Sequence, residues 1–272
     1  MGELGDEARP LAGGQSLVPL LALRLARPSY LVDLAGIPDL NYVRVGDGQI
    51  VLGSMLRERA AERDSRIAQH APLLADALPL IGHAAIRSRG TVGGSLAHAD
   101  PAAELPAAAL VLDATLVAES NKRGQRVIPA ADFFTGFLTT CLEPDEILTG
   151  VRIPSAPAGT GTAFEEVARR HGDFAMVGVA GSVRLAGDGS VGDARLALTG
   201  VSDVPVRAVK SEAALVGSAP GEAAIMEAAA LAAEGLAPPS DVHASAAYRK
   251  HVAAVLVRRV LRTAIDRARA AA

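Results

Sequence analysis

Residues 154–162 read "PSAPAGTGT", and the pattern of the chain changes across them. Small residues with two prolines and two glycines form a linker rather than a helix or a strand. Before it, short strand-like runs are interspersed with helical stretches and glycine turns. After it, long apolar runs with glycine turns come first and helical patterns follow. The expected class is α+β, with one unit over residues 1–154 and another over 162–272.

Within the first unit, "ARPLAGG" reads as a short strand running into a glycine turn. "SLVPLLALRLA" follows as a helix, with Ser16 at the capping position and Pro19 in the first turn. "SYLVDLAG" is a strand, and "NYVRVGDGQIVLGS" a hairpin about a Gly-Asp-Gly centre. Residues 55–83 are helical, broken at Pro72 and Pro79, and "AAIRSRGTVGGSLAHAD" reads as strand, turn and a further extended piece. "ALVLDATLVAES" and "QRVIPAADF" pair about a polar turn, and "DEILTGVRIP" adds another strand. In the second unit an antiparallel sheet is expected from "AFEEVARR" and "MVGVAGSVRLAGDGSVGDARLALTGV", then helices near 207–217, 221–235 and 243–270. In the last helix, Tyr248, Val252, Val255, Leu256 and Val260 form the apolar stripe.

Composition excludes several classes of function. Half the residues are apolar, which rules out general disorder. No tryptophan and few other aromatics argue against a stacking platform, and a net charge of −3 gives no footprint for nucleic acid or an anionic membrane. Cys141 is the only cysteine, so the chain cannot hold an internal disulfide, a structural zinc or an iron–sulfur cluster of its own. It lies in the apolar run "FLTTCLEP" and reads as an inert core thiol. A cytoplasmic setting is expected, free or at the inner face of the membrane. No apolar run reaches the roughly 20 residues of a membrane span, and the acidic N-terminus is no signal peptide. The six histidines show no metal-ligand spacing.

Two glycine turns remain, "LAGGQS" at 11–16 and "TVGGS" at 91–95. Each follows a strand-like segment, and successive free N–H groups in such turns form a concavity that suits an anion. In the first, the following helix adds its positive end. Neither is a Walker loop or a G-x-G-x-x-G fingerprint. One such turn is ordinary backbone geometry; two of the same kind suggest a diphosphate held between them. Glu104 could then accept hydrogen bonds from ribose hydroxyls. It could equally complement the dipole of a helix opened by Asp100-Pro101. With no nucleophile, general acid or base in evidence, any chemistry would belong to a cofactor.

The stretches "AGGQSLVPLLALRLARPSYLVDL", "RSRGTVGGSLAHADPAAELPAAALVLDATL", "EEVARRHGDFAMVGVA" and "YRKHVAAVLVRRVL" occur in this order. Together they resemble the FAD-binding (medium) subunit of the molybdenum hydroxylases, the flavoprotein of aerobic carbon monoxide dehydrogenase and of bacterial xanthine and nicotinate dehydrogenases. The resemblance implies a FAD-binding domain of the vanillyl-alcohol-oxidase (PCMH) type, in subdomains over about 1–53 and 54–154, followed by a C-terminal flavoprotein domain. It implies that Ala12, Gly13, Gly14, Gln15 and Ser16 form one wall of the FAD diphosphate site. Thr91, Val92, Gly93, Gly94 and Ser95 form the other, with Ala97 behind and Glu104 on the ribose. Ile147 or Leu148 would approach the flavin, and Phe174 would cover its ring.

The partners so implied are a small subunit with [2Fe–2S] clusters and a large subunit with the molybdenum cofactor, assembled as a dimer of heterotrimers. Electrons from substrate oxidation would pass through the clusters to FAD and on to an external acceptor. This chain would hold no catalytic residue for the substrate and no metal. It departs from the family pattern in three respects. Against the family pattern, which usually begins with a further strand and helix about thirty residues earlier, this sequence would lack those elements; Ser95 replaces a frequent asparagine, and Glu165 stands where some relatives carry lysine near the flavin. Two rival readings follow: a structural subunit of such a complex that keeps no FAD, and a self-sufficient flavin reductase.

Overall fold

Two antiparallel sheets carry the protein, joined through a shared layer of helices. The structure, a computed structural model, describes residues 3–271. Met1, Gly2 and Ala272, the outermost residues of the two expected units, lie outside the described residues. A small unit opens the chain: β1 (Ala8–Leu11), α1 (Leu17–Ala22) and β2 (Tyr30–Asp33), the strands parallel and in register from Ala8–Tyr30 to Leu11–Asp33. Ser16 occupies the N-cap of α1 without a side-chain hydrogen bond, and no residue of α1 is buried.

The first large sheet has the order β3 (Val43–Gly46), β4 (Gln49–Gly53), β9 (Ile147–Pro154), β5 (Thr115–Ser120) and β6 (Gly124–Pro129). The expected hairpin is the β3–β4 pair, turned at Asp47-Gly48, where both residues take positive φ as a two-residue hairpin turn requires. Between β4 and β5 run six short helices. These are α2 (Glu58–Glu62), α3 (Ser65–His70), α4 (Pro72–Ala77), α5 (Ala84–Arg87), α6 (Val92–His98) and α7 (Glu104–Val111). After β6 come α8 (Ala130–Phe133) and a small ribbon, β7 (Phe134–Gly136) with β8 (Thr139–Thr140). One face of the sheet, with Ile50, Leu52, Leu116 and Ile153, packs on the helices.

The second sheet is a meander of β10 (Thr160–Val167), β11 (Val177–Leu185), β12 (Val191–Thr199) and the short β13 (Val206–Arg207). Then follow α9 (Val209–Leu215), α10 (Glu222–Glu234) and α11 (Ala246–Ala270). Strand alternation divides its residues between two cores. Ala163, Val179, Leu196 and Leu198 pack against α9–α11. Phe164, Ala180 and Ala197 point the other way and join the core of the first sheet and its helices.

Three expectations are corrected. The segment 84–100, read as extended, holds α5 and α6. The Thr91 hydroxyl caps α6 by accepting from the Gly94 N–H at 3.1 Å, which outweighs the poor helix propensity of Val92-Gly93-Gly94. The start of "ALVLDATL" belongs to α7, not to a strand. All eight residues of α7 are buried, so the segment has no polar face to reveal a helical period. In α11 it is Arg249, not Tyr248, that turns inward: Arg249 is 5% exposed and Tyr248 44%.

Candidate dinucleotide-binding site

The two glycine turns meet. A methyl group on Gly13 would overlap the Arg89 carbonyl oxygen and lie 2.8 Å from the Gly90 Cα. One on Gly94 would lie 3.4 Å from the Cβ of Ala12 and 2.6 Å from the Thr91 hydroxyl. Gly93 rests on Ser54 at the end of β4, where a Cβ would come within 2.6 Å of the Ser54 Cα. These glycines allow three backbone segments to pack without intervening side chains.

The turns differ in what they leave available. In the second, the Val92 N–H donates to the Leu56 carbonyl (3.0 Å), Gly93 to Ser54 (2.9 Å) and Ser95 to Thr91 (3.0 Å). Its amides are therefore spent within the protein, against the expectation that both turns present free N–H groups. In the first, the N–H groups of Gly13, Gly14, Gln15 and Ser16 donate to no acceptor among the described residues. The unpaired amides lie on the β1–α1 side, and the capped start of α6 lies against that turn.

Behind that wall lies a group of buried carboxyls. Glu58 in α2 is 4% exposed and sits against Gly90, where a Cβ would be 2.7 Å from its carboxyl carbon. One of its oxygens has no hydrogen-bond partner. Burial, and then the charge of Glu104, pushes the Glu58 carboxyl up to about 8, against the pull of Arg87. Glu104, at the start of α7 and 6% exposed, is raised to about 7, chiefly by burial and further by Asp100. Glu166 on β10 faces Glu104 from the second sheet and is raised to about 8 by burial and by Glu104. The nearby Arg87 is committed elsewhere, to Glu62 (2.9 Å) and to the carbonyls of Ile81 (2.8 Å) and Gly82 (3.0 Å).

The other expected residues are spread around this centre. Ala97 is exposed on α6. Ile147 begins β9 opposite Glu119 and is half-buried, whereas Leu148 is 4% exposed and belongs to the core. Phe174, 68% exposed, lines a cleft of about 500 Å³ with Phe137 and with Asp100, Pro101 and Ala102, the connection between α6 and α7. Glu165 points away from this region and pairs with Arg259 of α11 at 3.5 Å. Strand alternation gives the inward position to Glu166 instead. Asp100 accepts from the Ala102 N–H at 2.8 Å, so it turns the chain into α7 rather than capping it.

Residues 2–156 match the model of the FAD binding domain in molybdopterin dehydrogenase, and residues 162–264 that of the CO dehydrogenase flavoprotein C-terminal domain. The chain belongs to the FAD-binding medium subunits of the molybdenum hydroxylases. Among curated relatives of this family, 6-hydroxypseudooxynicotine dehydrogenase complex subunit alpha of Paenarthrobacter nicotinovorans is 42% identical over 265 residues, covering 97% of this chain and 89% of its own. The carbon monoxide dehydrogenase medium chain of Afipia carboxidovorans is 38% identical over 270 residues, covering 99% and 92%. A solved carbon monoxide dehydrogenase from Hydrogenophaga pseudoflava superposes with a TM-score of 0.95 at 39% identity, covering 98% of this chain and 92% of that one. The flavoprotein family that the four stretches resemble is thus the family found, and FAD its cofactor.

Several residues of this region escaped the sequence reading. Glu58 and Arg87 lie in short helical stretches rich in charge and look like surface residues there. Phe137 and Arg249 become neighbours of the cleft only through the tertiary fold. Gly90 carried a signal: a glycine directly before the capping Thr91 marks a place where another group comes close.

Proposed function

We propose that this chain carries the FAD through which electrons leave a molybdenum-containing dehydrogenase. The observation that carries the reading is the contact of the first glycine turn with the start of α6, where the N–H groups of Gly13, Gly14, Gln15 and Ser16 have no acceptor among the described residues. Such a surface fits the diphosphate of a dinucleotide. FAD, when bound, supplies the redox chemistry, taking up electrons and passing them on.

The protein's own residues bind and shield. Gly13, Gly14, Gln15 and Ser16 would hold the diphosphate by their N–H groups, with Ala12 at the junction. Thr91–Ser95 and Ala97 would form the second wall, shaped by the Thr91 cap and supplying the Ser95 hydroxyl. Glu104 would accept from ribose hydroxyls. Ile147 would approach the flavin with Leu148 fixing its strand from behind, and Phe174 would cover the ring. The FAD-binding part is residues 1–154 and the covering part 162–272.

The electrons would arrive from [2Fe–2S] clusters on a small partner, reduced by a large partner with the molybdenum cofactor, in a cytoplasmic dimer of heterotrimers. Two facts support partner subunits that hold the clusters. Relatives bear names such as "complex subunit alpha" and "medium chain", and one cysteine cannot ligate a cluster. Among the described residues no helix is long and apolar enough to cross a membrane.

Titration of the purified, flavin-stripped protein with FAD tests the reading. The expected result is a saturable one-to-one change in the visible flavin spectrum, shifted to higher FAD concentration in Gly13→Ala. Absence of binding by the unaltered protein would overturn it.

A further inference from the structure

The loop between β10 and β11 carries Phe174 and is fixed on both sides of it. On one side, Gly172 lies on the imidazole of His83, from the helical layer of the first unit. A Cβ there would be 2.5 Å from the ring, which would have to move aside, and φ is +87°, a conformation that favours glycine. On the other side, Met176 is held twice. Its N–H donates to the Val167 carbonyl at 2.8 Å, closing the base of the loop. Its carbonyl accepts from the Nη1 of Arg249.

Arg249 is the centre of this arrangement. It projects from α11 into the floor of the cleft and is 95% buried by protein. The same Nη1 donates to the Gly200 carbonyl at 3.1 Å, and Nη2 donates to Asp241 at 2.6 Å. Gly200 in turn donates its N–H to the Pro101 carbonyl at 2.7 Å, across the cleft in the α6–α7 connection. A single guanidinium therefore links the loop bearing Phe174 to the β12 turn, and through it to the opposite wall. Its Nε has no partner. A buried cation with one carboxylate and two carbonyls is an expensive way to hold a loop if any well-packed side chain would serve.

We infer that Arg249 and His83 are positioning residues for Phe174: they hold its loop at Met176 and Gly172, so that the exposed ring projects over the cleft at a fixed height. The inference rests on the reading that FAD occupies this region and that Phe174 covers its ring. Arg249 acts through Phe174 and touches no reacting atom.

Two measurements test it separately from that reading. Arg169 and Arg170, 53% and 78% exposed in their side chains, offer trypsin sites inside the loop. In flavin-free protein, Arg249→Met or His83→Ala should speed cleavage there by about tenfold, as loss of one charged hydrogen bond or one docking surface allows. Arg249→Lys should recover part of the protection. In FAD-loaded protein, Arg249→Met should change the visible circular dichroism of the flavin in the same sense as Phe174→Ala. It should have no further effect in a Phe174→Ala background.

Unchanged cleavage in both variants would overturn the inference, whether or not FAD binds. So would a dichroism change from Arg249→Met that persists undiminished without Phe174. Should Arg249→Met fail to fold, His83→Ala and Arg249→Lys carry the same two readouts. Failure of the unaltered protein to bind FAD, with cleavage behaving as expected, would remove the cofactor reading and leave the positioning role.

Discussion

Ala12 lies beside Gly94: a Cβ built on Gly94 would meet that of Ala12 at 3.4 Å, an ordinary packing distance. Between them these residues bring the end of β1 to the first turn of α6. A side chain on the neighbouring Gly13, in contrast, would overlap the Arg89 carbonyl and has to part the two walls.

Gly13→Ala is accordingly expected to weaken FAD binding by about tenfold or more, equivalent to at least ~1.4 kcal/mol. The added methyl overlaps backbone rather than the end of a flexible side chain. Gly48→Ala, at a hairpin turn with nothing within 4 Å of its Cβ, should leave binding unchanged. Fluorescence or absorbance titration with FAD measures both.

Thr91→Ala removes the side-chain acceptor from the start of α6 and should cost about 1 kcal/mol of stability, while Thr91→Ser should cost less. Because the freed Gly94 N–H and the shifted first turn adjoin the proposed site, Thr91→Ala should also weaken FAD binding. Urea unfolding and FAD titration of the same samples give the two effects.

The buried carboxyls make stability depend on pH in a definite sense. Glu58, Glu104 and Glu166 have folded-state values of about 8, 7 and 8, above the ordinary 4.5. Between those limits the folded protein holds more protons than the unfolded chain, so stability falls as pH rises. The contribution is complete below about 4.5 and lost as pH passes through 7 to 8. Carboxylates held low by arginines, such as Glu62 and Glu146, are ionised in both states well above the ordinary 4.5 and add no slope there. The melting temperature of flavin-free protein should therefore drop from pH 5 to pH 8. Glu58→Gln should reduce that drop, with a gain of roughly 1–2 kcal/mol at pH 8.

Glu104→Gln should separate stability from binding. Without an ionisable group the flavin-free protein should be more stable at pH 8. The amide accepts ribose hydroxyls less well than a carboxylate, so FAD affinity should fall several-fold, or about 1 kcal/mol. A thermal melt at pH 8 beside an FAD titration checks both signs.

Much of this was legible in the sequence. The β3–β4 hairpin, the meander and the last three helices announce themselves by alternation, glycine turns and an apolar stripe. The glycine pairs pointed to the two walls because close backbone approach leaves a compositional mark. What stayed hidden has physical causes. In α7 every residue is buried, from Glu104 to Val111, so no period distinguishes it from a buried strand. In α6, β-branched Thr91 and Val92 beside two glycines argue for extended chain, and only the cap and the seat of Gly93 on Ser54 decide otherwise. Arg249 and Glu58 look solvated in sequence because charged residues usually are. Their burial depends on partners far along the chain: Met176 and Gly200 for one, Gly90 and Glu104 for the other.

The outward-turned residues Phe164, Ala180 and Ala197 of the second sheet are embedded in the same apolar interior as Leu105, Leu116 and Phe133. Severing the chain in the linker at 155–159 would therefore tear one interior in half and not release two self-sufficient bodies. Melting is accordingly expected to be a single cooperative event, in which the second sheet and the helices it shares with the first give way together.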